Sequence, residues 1–374
     1  MKILIDIGHP AHIHYWRNFA KIMLERGNDI LLTTRDKEIT IDLLHHYDFS
    51  FYNLGKPYNG LKNKIKGLIT FNYKLLKIAK KFKPDIFLSA GSPYAAIVSS
   101  MMGKPHITLE DTFNFEQIRF YMPFTDVVLT GNYEHPSLGK KEIKYNGYQE
   151  LGYLHQNYFK PDKNIISELG VKDNEKYVVL RFVSWQATHD RVHNGIMMKN
   201  KIKAVHEFEK FAKVFISSEV DLPSDLKKYQ IKTDSYKMHD VLAFCSLLFG
   251  ESGTMTVENA ILGNPSIFIS NKYHFLQRDI LKKYDLLYMY IDTENNQLEA
   301  IEKGIELLTI PDLHEEWQKR KDKMLEDKID VTAFLVWFVE NYPESFRIMK
   351  RNKDFQFKFK LQNGVKSFNI EPTS

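Results

Sequence analysis

Residues 250–263, GESGTMTVENAILG, gather glycines, hydroxyls and a carboxylate between two apolar runs. A helical pattern with Val257, Ala260, Ile261 and Leu262 on one side starts just after Ser252-Gly253 and stops at Gly263. The N–H groups of Ser252, Gly253 and Thr254 would open that helix at the positive end of its dipole, where an anion is favoured. A diphosphate is the obvious occupant. Glu258 follows about one turn later, where a carboxylate could accept hydrogen bonds from ribose hydroxyls. In the competing reading Ser252 or Thr254 only caps the helix and the glycines permit close packing. Neither a Gly-Lys-Ser/Thr phosphate loop nor a GxGxxG fingerprint is present.

Other polar groups follow short apolar runs. Glu110 ends HITLE and Asp111 follows it, and a carboxylate there near a histidine could deprotonate an acceptor hydroxyl, unless Asp111 caps a helix starting near Phe113. In RFVSWQATHD, Arg181 could offer a fork of donors to phosphate or form a structural salt bridge, and His189 with Asp190 could form an acid/base pair. Gln277, in NKYHFLQRDI, could hydrogen-bond sugar hydroxyls. His9, His12 and His14 suggest a metal site, but no carboxylate stands beside them at ligand spacing, so no metal is expected. His14 reads as packing beside Tyr15 and Trp16. Cys245, the only cysteine, lies in the apolar run VLAFCSLLF and reads as a buried small hydrophobe.

The elements that must position these groups alternate strand and helix signals. KILIDIG (2–8), DILLTT (29–34), DIFLSAG (85–91), HITLE (106–110) and DVVLTG (126–131) form one series of strands. YVVLRFV (177–183), KVFIS (213–217), SLLFG (246–250), PSIFIS (265–270) and LLYMYI (286–291) form a second. Repeated βα units of this kind predict parallel sheets covered on both faces, with ligands at the carboxyl ends of the strands. The expected fold is α/β, with two Rossmann-like doubly wound domains facing each other across a cleft, over 1–155 and 156–330. The apolar segment 331–350 is expected to return to the first domain as a helix bent at Pro343, leaving 351–374 as a polar tail.

SGTMTVENAILGNPSI resembles the nucleotide-sugar diphosphate motif of GT-B enzymes, both the N-acetylglucosaminyltransferase that makes lipid II and the non-hydrolysing UDP-GlcNAc 2-epimerases. The spacing from Ser252 to Gly263 is closer to the epimerases. Together with KILIDIGHPAHIHYWRNFAKIMLERGNDILLTTRDKE, KPDIFLSAGSPYAAIVSSMMGKPHITLEDT and VTAFLVWFVENYPESF, the chain looks like the domain of unknown function 354 family, predicted GT-B-like glycosyltransferases. The resemblance implies diphosphate binding at Ser252, Gly253 and Thr254 and ribose binding at Glu258. It implies a glycine-rich loop at Gly8 and His9, with His12 facing phosphate or the reacting sugar. It also implies catalytic acidic residues at Glu110 or Asp111, a phosphate or sugar contact near Arg181, and base contacts near Met238 and His239.

A net charge of +5 is only mildly basic, but LKNKIKGLITFNYKLLKIAKKFK (61–83) carries eight Lys and no Asp or Glu. This is an ordinary sheet-covering helix with a solvated face, or a surface that contacts anionic lipid. No nucleic-acid module is recognisable. The start MKILIDIGHP shows no leader pattern, so a cytoplasmic enzyme is expected, possible at the inner face of the membrane. The reading is a metal-independent glycosyltransferase with no cofactor, taking sugar from a nucleotide sugar to a glycan or lipid-linked acceptor. A UDP-sugar 2-epimerase and a non-catalytic sugar-nucleotide-binding protein are the alternatives.

Overall fold

A computed structural model describes residues 1–37, 39–58, 61–172, 174–183, 195–218 and 221–360, with the backbone alone for 61–66. The chain divides into two compact units, Met1–Tyr158 with Lys328–Ser374, and Phe159–Asp327. The first unit is therefore discontinuous in sequence.

Unit 1 is built on a seven-stranded sheet of order β3-β2-β1-β4-β5-β6-β7. Its strands are β1 (Lys2–Ile7), β2 (Asp29–Thr34), β3 (Phe51–Asn53), β4 (Ile86–Ala90), β5 (His106–Glu110), β6 (Val127–Gly131) and β7 (Glu142–Tyr145). All of their pairings are parallel. The central strands read as continuous apolar runs because both faces are covered: Ile3, Leu4, Ile5 and Ile7 of β1 are all fully buried. Helix Pro10–Glu25 begins with Pro10 in its first turn, and the His9 side chain caps it by accepting from the Ala11 N–H. Its buried stripe includes Ile13, Trp16, Phe19, Ala20 and Met23, the spacing of a helix with one face on a sheet.

Unit 2 carries a five-stranded sheet of order β12-β11-β10-β8-β9. These are β8 (Tyr177–Phe182), β9 (Lys213–Ser218), β10 (Leu247–Gly250), β11 (Ser266–Ile269) and β12 (Leu287–Tyr290), again all parallel. The α/β expectation holds in both units. Cys245 is buried and donates through Sγ to Asn259 Oδ1 at 3.1 Å, and burial pushes its thiol well above the usual range, so it is no nucleophile. No described helix is long and apolar enough to cross a membrane.

The chain's last described segment departs from expectation. Helix Val331–Glu340 is buried from Val331 to Val339 and capped by Asp330, which accepts from the Ala333 N–H at 2.9 Å. Asp330 also accepts from the Tyr158 hydroxyl at 2.9 Å and from Asn157 at 2.8 Å. After Pro343 a second helix runs Glu344–Arg351. The residues that follow are not a polar tail as far as Phe359. A 3-10 turn, Lys353–Phe359, stacks Phe355 on Trp337 with ring centres 4.7 Å apart, buries Phe359, and brings the Gln356 side chain to the Asn146 N–H. Aromatic residues spaced four apart, at 355 and 359, outweigh the lysines around them. Residues 361–374 lie outside the described part. We expect Phe359→Ala to cost about 3–5 kcal/mol, as for other fully buried Phe residues, read from urea unfolding followed by circular dichroism. A cost below about 1 kcal/mol would mean that this turn is not part of the packed unit.

Candidate functional site

Polar side chains collect at the carboxyl ends of the strands in each unit. In unit 1 the foundation is a buried ion pair. Asp6 of β1 is fully buried, and Arg35, just beyond β2, places Nη1 at 2.9 and 2.8 Å from its two carboxylate oxygens. Thr33 and Ser92 donate to the same carboxylate, at 2.8 and 2.5 Å, and Arg35 Nη2 donates to the Ile7 carbonyl at 2.9 Å. The guanidinium lies directly against Gly8: a Cβ there would come 2.9 Å from Nη2. A side chain at position 8 would press on the group that holds the turn.

The Gly8 N–H donates to His12 Nδ1 at 3.2 Å, which leaves the proton of the neutral ring on Nε2. Burial, with positive charge from His9, Arg35 and Lys37, pushes the His12 pKa down to about 3. His12 is therefore a neutral hydrogen-bond donor, and its Nδ1 is already occupied. Its ring stacks on Tyr15, centroids 5.9 Å apart, and Tyr15 donates its hydroxyl proton to Asp111 Oδ2 at 3.0 Å. The Gln149 amide, oriented to satisfy both its ends, donates to the same oxygen at 3.3 Å and accepts from the Glu110 N–H at 3.2 Å. Burial, reinforced by the charge of Glu110 and opposed by the Tyr15 bond, raises the Asp111 pKa to about 7.

The neighbouring carboxylate has a different task. Glu110 Oε1 accepts from the Thr112 N–H, the Thr112 hydroxyl and the Phe113 N–H at 2.8–2.9 Å, and Oε2 accepts from Tyr121 at 2.5 Å. It pins a turn in which Phe113 has a left-handed φ of 50°. Glu110 is thus withdrawn from the catalytic set. The helix also starts later than expected, at Phe115, with Asn114 as its cap. Asp111 is therefore not a cap and keeps only part of its surface exposed. His9 is spent on its own cap, and His14 is buried with Tyr153 and Arg17 among its neighbours. Among the described residues, no group of His, Cys, Asp or Glu is arranged to hold a metal ion.

In unit 2, β10 ends at Gly250, where a Cβ would meet the Arg181 carbonyl oxygen at 2.0 Å; only glycine lets β8 run this close. Ser252 caps helix Gly253–Ile261 through its hydroxyl, which accepts from the Met255 N–H at 3.4 Å. Capping and anion binding do not compete here, because the first-turn amides of Gly253 and Thr254 have no acceptor within the helix. Gln277 donates to the Gly253 carbonyl at 3.1 Å and is buried, so it braces the helix start instead of presenting its amide N–H to a sugar. Glu258 and His239, both expected on the nucleotide side, meet each other: Nε2 and Oε1 are 3.0 Å apart and both residues are about 5% exposed. Met238 opens helix Met238–Ala243 and packs on the core cluster. Arg181 donates from Nη1 to Ser217 at 3.0 Å. His189 lies outside the described residues.

Sequence reasoning missed Asp6, Arg35, Tyr15, Gln149 and Glu251. The last is buried, accepts from the Val183 N–H at 2.8 Å and from the Ile196 N–H, and pairs with Lys201 at 3.3 Å. An acidic residue directly at a strand end, as in Gly250-Glu251, is the signal that could have found it.

Structures of known proteins share this fold. The UDP-GlcNAc 2-epimerase of Neisseria meningitidis, solved bound to UDP-GlcNAc, is 14% identical with a TM-score of 0.59 over 87% of this chain and 99% of its own. The glycosyltransferase VinC, solved in complex with DTDP, is 11% identical with a TM-score of 0.58 over 94% of this chain and 100% of its own. The two parallel sheets are those of the GT-B class. In sequence, an uncharacterised protein of Methanocaldococcus jannaschii is 24% identical over 284 residues, 71% of this chain and 81% of that relative. Residues 1–337 match the family described as "Protein of unknown function (DUF354)", and the chain belongs to that family.

Proposed function

We propose that this protein is a metal-independent glycosyltransferase that moves a sugar from a UDP-linked donor to an acceptor hydroxyl. The observation that carries the reading is Asp111, a mostly buried carboxylate whose pKa is raised to about 7 and which accepts from Tyr15, the residue on which the neutral donor His12 stacks. A base with that pKa is about half ionised at neutral pH and takes a proton readily. In this reading Asp111 removes the acceptor proton as its oxygen attacks the anomeric carbon. Tyr15 and Gln149 hold the carboxylate, and His12 Nε2–H donates to a donor or acceptor oxygen. The Gly253 and Thr254 amides and the helix dipole of unit 2 take up the negative charge that develops on the departing diphosphate. The acceptor is a glycan or lipid-linked sugar, and the setting is surface-glycan assembly in the cytoplasm.

A 2-epimerase is the second reading, favoured by the likeness to the Neisseria enzyme. There the same groups would act on the donor sugar itself and no acceptor would be needed. Incubation with UDP-GlcNAc alone separates the two: an epimeric product supports the epimerase, and binding without turnover supports the transferase or a binding protein without chemistry.

Replacing Asp111 by Asn should lower turnover by about 10²–10⁴-fold with little change in donor affinity. In the native enzyme kcat/KM should rise with pH through an apparent pKa near 7, and that limb should vanish in the variant. Stability gives an independent readout. The folded pKa of about 7 lies above the ordinary 3.8, so the fold favours the protonated acid and loses stability as pH rises from about 4 through 7. Asp111→Asn removes that loss, and its melting temperature should exceed the native one by a few degrees at pH 8, the gap closing toward pH 4. An unchanged activity limb would remove Asp111 as the base.

For unit 2, Gly253→Asp should weaken UDP binding by at least about 100-fold, because a carboxylate would face the diphosphate. Gly253→Ala is the steric control, since its Cβ displaces only the end of Gln277, 2.9 Å away. Equal losses in the two variants, measured by calorimetry, would assign the effect to crowding and sink the diphosphate site.

A further inference from the structure

Helix Leu61–Phe82 covers the unit 1 sheet with Phe71, Leu75 and Ala79, which pack against Leu4, Leu31 and Phe87. Its outer side is not simply solvated. Ile69 and Tyr73 are each 68% exposed, although a sheet-covering helix usually turns such residues inward. Lys77, Lys80 and Lys81 are exposed as well. At 3.6 residues per turn these five positions fall within about 120° of one another around the helix axis. An apolar, aromatic pair and three ammonium groups therefore share one face.

At the carboxyl end of the helix that face opens into a cavity of about 390 Å³. Leu31, Ile78 and Phe82 give it apolar walls, and Lys2, Lys77 and Lys81 stand among its lining residues with Tyr52. Lys2 is the first residue of β1, so the cavity lies at the amino ends of the strands, at the opposite edge of the sheet from Gly8 and Asp111. Two carboxylates are near. Asp29 is 3.9 Å from Lys2 Nζ, and Asp85 accepts from the Lys2 backbone N–H. Among the described residues neither forms an ion pair with Lys77 or Lys81, and the helix itself has no acid.

We propose that this face of unit 1 docks on an anionic phospholipid bilayer. The lysines attract headgroup phosphates, and Ile69 and Tyr73 enter the interfacial layer, where an aromatic ring with a polar tip is at home. The cavity behind Lys77 and Lys81 accepts apolar lipid surface once the phosphates are engaged. A nucleic acid would satisfy the ammonium groups alone and leave Ile69, Tyr73 and the apolar walls in water. The inference does not depend on the reaction assigned above.

The test is co-sedimentation of the full chain with vesicles of phosphatidylcholine plus phosphatidylglycerol, and with phosphatidylcholine alone, at low and at high salt. Binding is expected only to the anionic vesicles and weakens with salt. The double variant Lys77→Glu, Lys81→Glu should lose about tenfold or more. Ile69→Ser with Tyr73→Ser, which leaves the charge untouched, should also lose about tenfold. All four residues are exposed, so circular dichroism and UDP affinity should stay native; if the glutamates disturb folding, Lys77→Gln with Lys81→Gln replaces them. No binding to anionic vesicles at low salt overturns the proposal. So does binding that survives both double variants. Equally tight binding to a duplex oligonucleotide, with the serine variant unaffected on vesicles, would mean that the face is a general polyanion contact and would overturn it too.

Discussion

The Asp6–Arg35 ion pair is the interaction on which the unit 1 site depends. Taking a carboxylate and a guanidinium out of water is costly, and the cost is offset only when every remaining lone pair and proton finds a partner. Here Thr33 of β2, Ser92 in the turn after β4 and the Ile7 carbonyl of β1 supply them. Removing one partner would leave a buried charge uncompensated, a loss of about 3–5 kcal/mol in comparable cases. The pair also sets the local field. Its guanidinium lies against the Gly8 turn and helps keep His12 neutral.

Adjacent carboxylates at the end of β5 divide the work. Glu110 is saturated by donors from its own turn and from Tyr121, while Asp111 has two donors on one oxygen and remains partly exposed. Burial first, and then the neighbouring Glu110, raise the proton affinity of Asp111. In unit 2, Glu251 resembles Glu110 in that it is buried and spends its oxygens on backbone N–H groups. Ser252 and Gly253, one and two positions on, begin the helix whose first amides are free of intrahelical partners. In both units, then, a carboxylate at the end of a strand or directly after it shapes the turn, and the residues assigned chemistry in the proposed reading come next.

The fold class was legible because the central strands are continuous runs of Val, Ile, Leu and Phe, and because Gly, Pro and Ser punctuate them. The short edge strands β3 and β7 were not, since FYN and EIKY have neither length nor an apolar pattern. The start of the helix at Gly253 was legible from Ser-Gly followed by a helical stripe. What Gln277 and Glu258 do was not, because a buried amide bracing a carbonyl and a carboxylate paired with a distant histidine leave no local trace. The same holds for Glu110 against Asp111: two acidic residues side by side look alike until the surrounding donors are known. Arg35 was hidden for a related reason, as its partner lies 29 residues earlier on another strand.

The discontinuity of unit 1 has a bearing on how the chain is made. Its sheet is complete once Tyr145 has left the ribosome, yet Trp337, Phe355 and Phe359 join that unit about two hundred residues later. Unit 2 is continuous from Phe159 to Asp327 and can close on itself while the N-terminal unit still has an open apolar surface where helix Val331–Glu340 will lie. Vectorial synthesis therefore finishes the second unit first and leaves the first waiting for the last segment of the chain. A nascent chain stalled short of residue 330 would display that surface to chaperones.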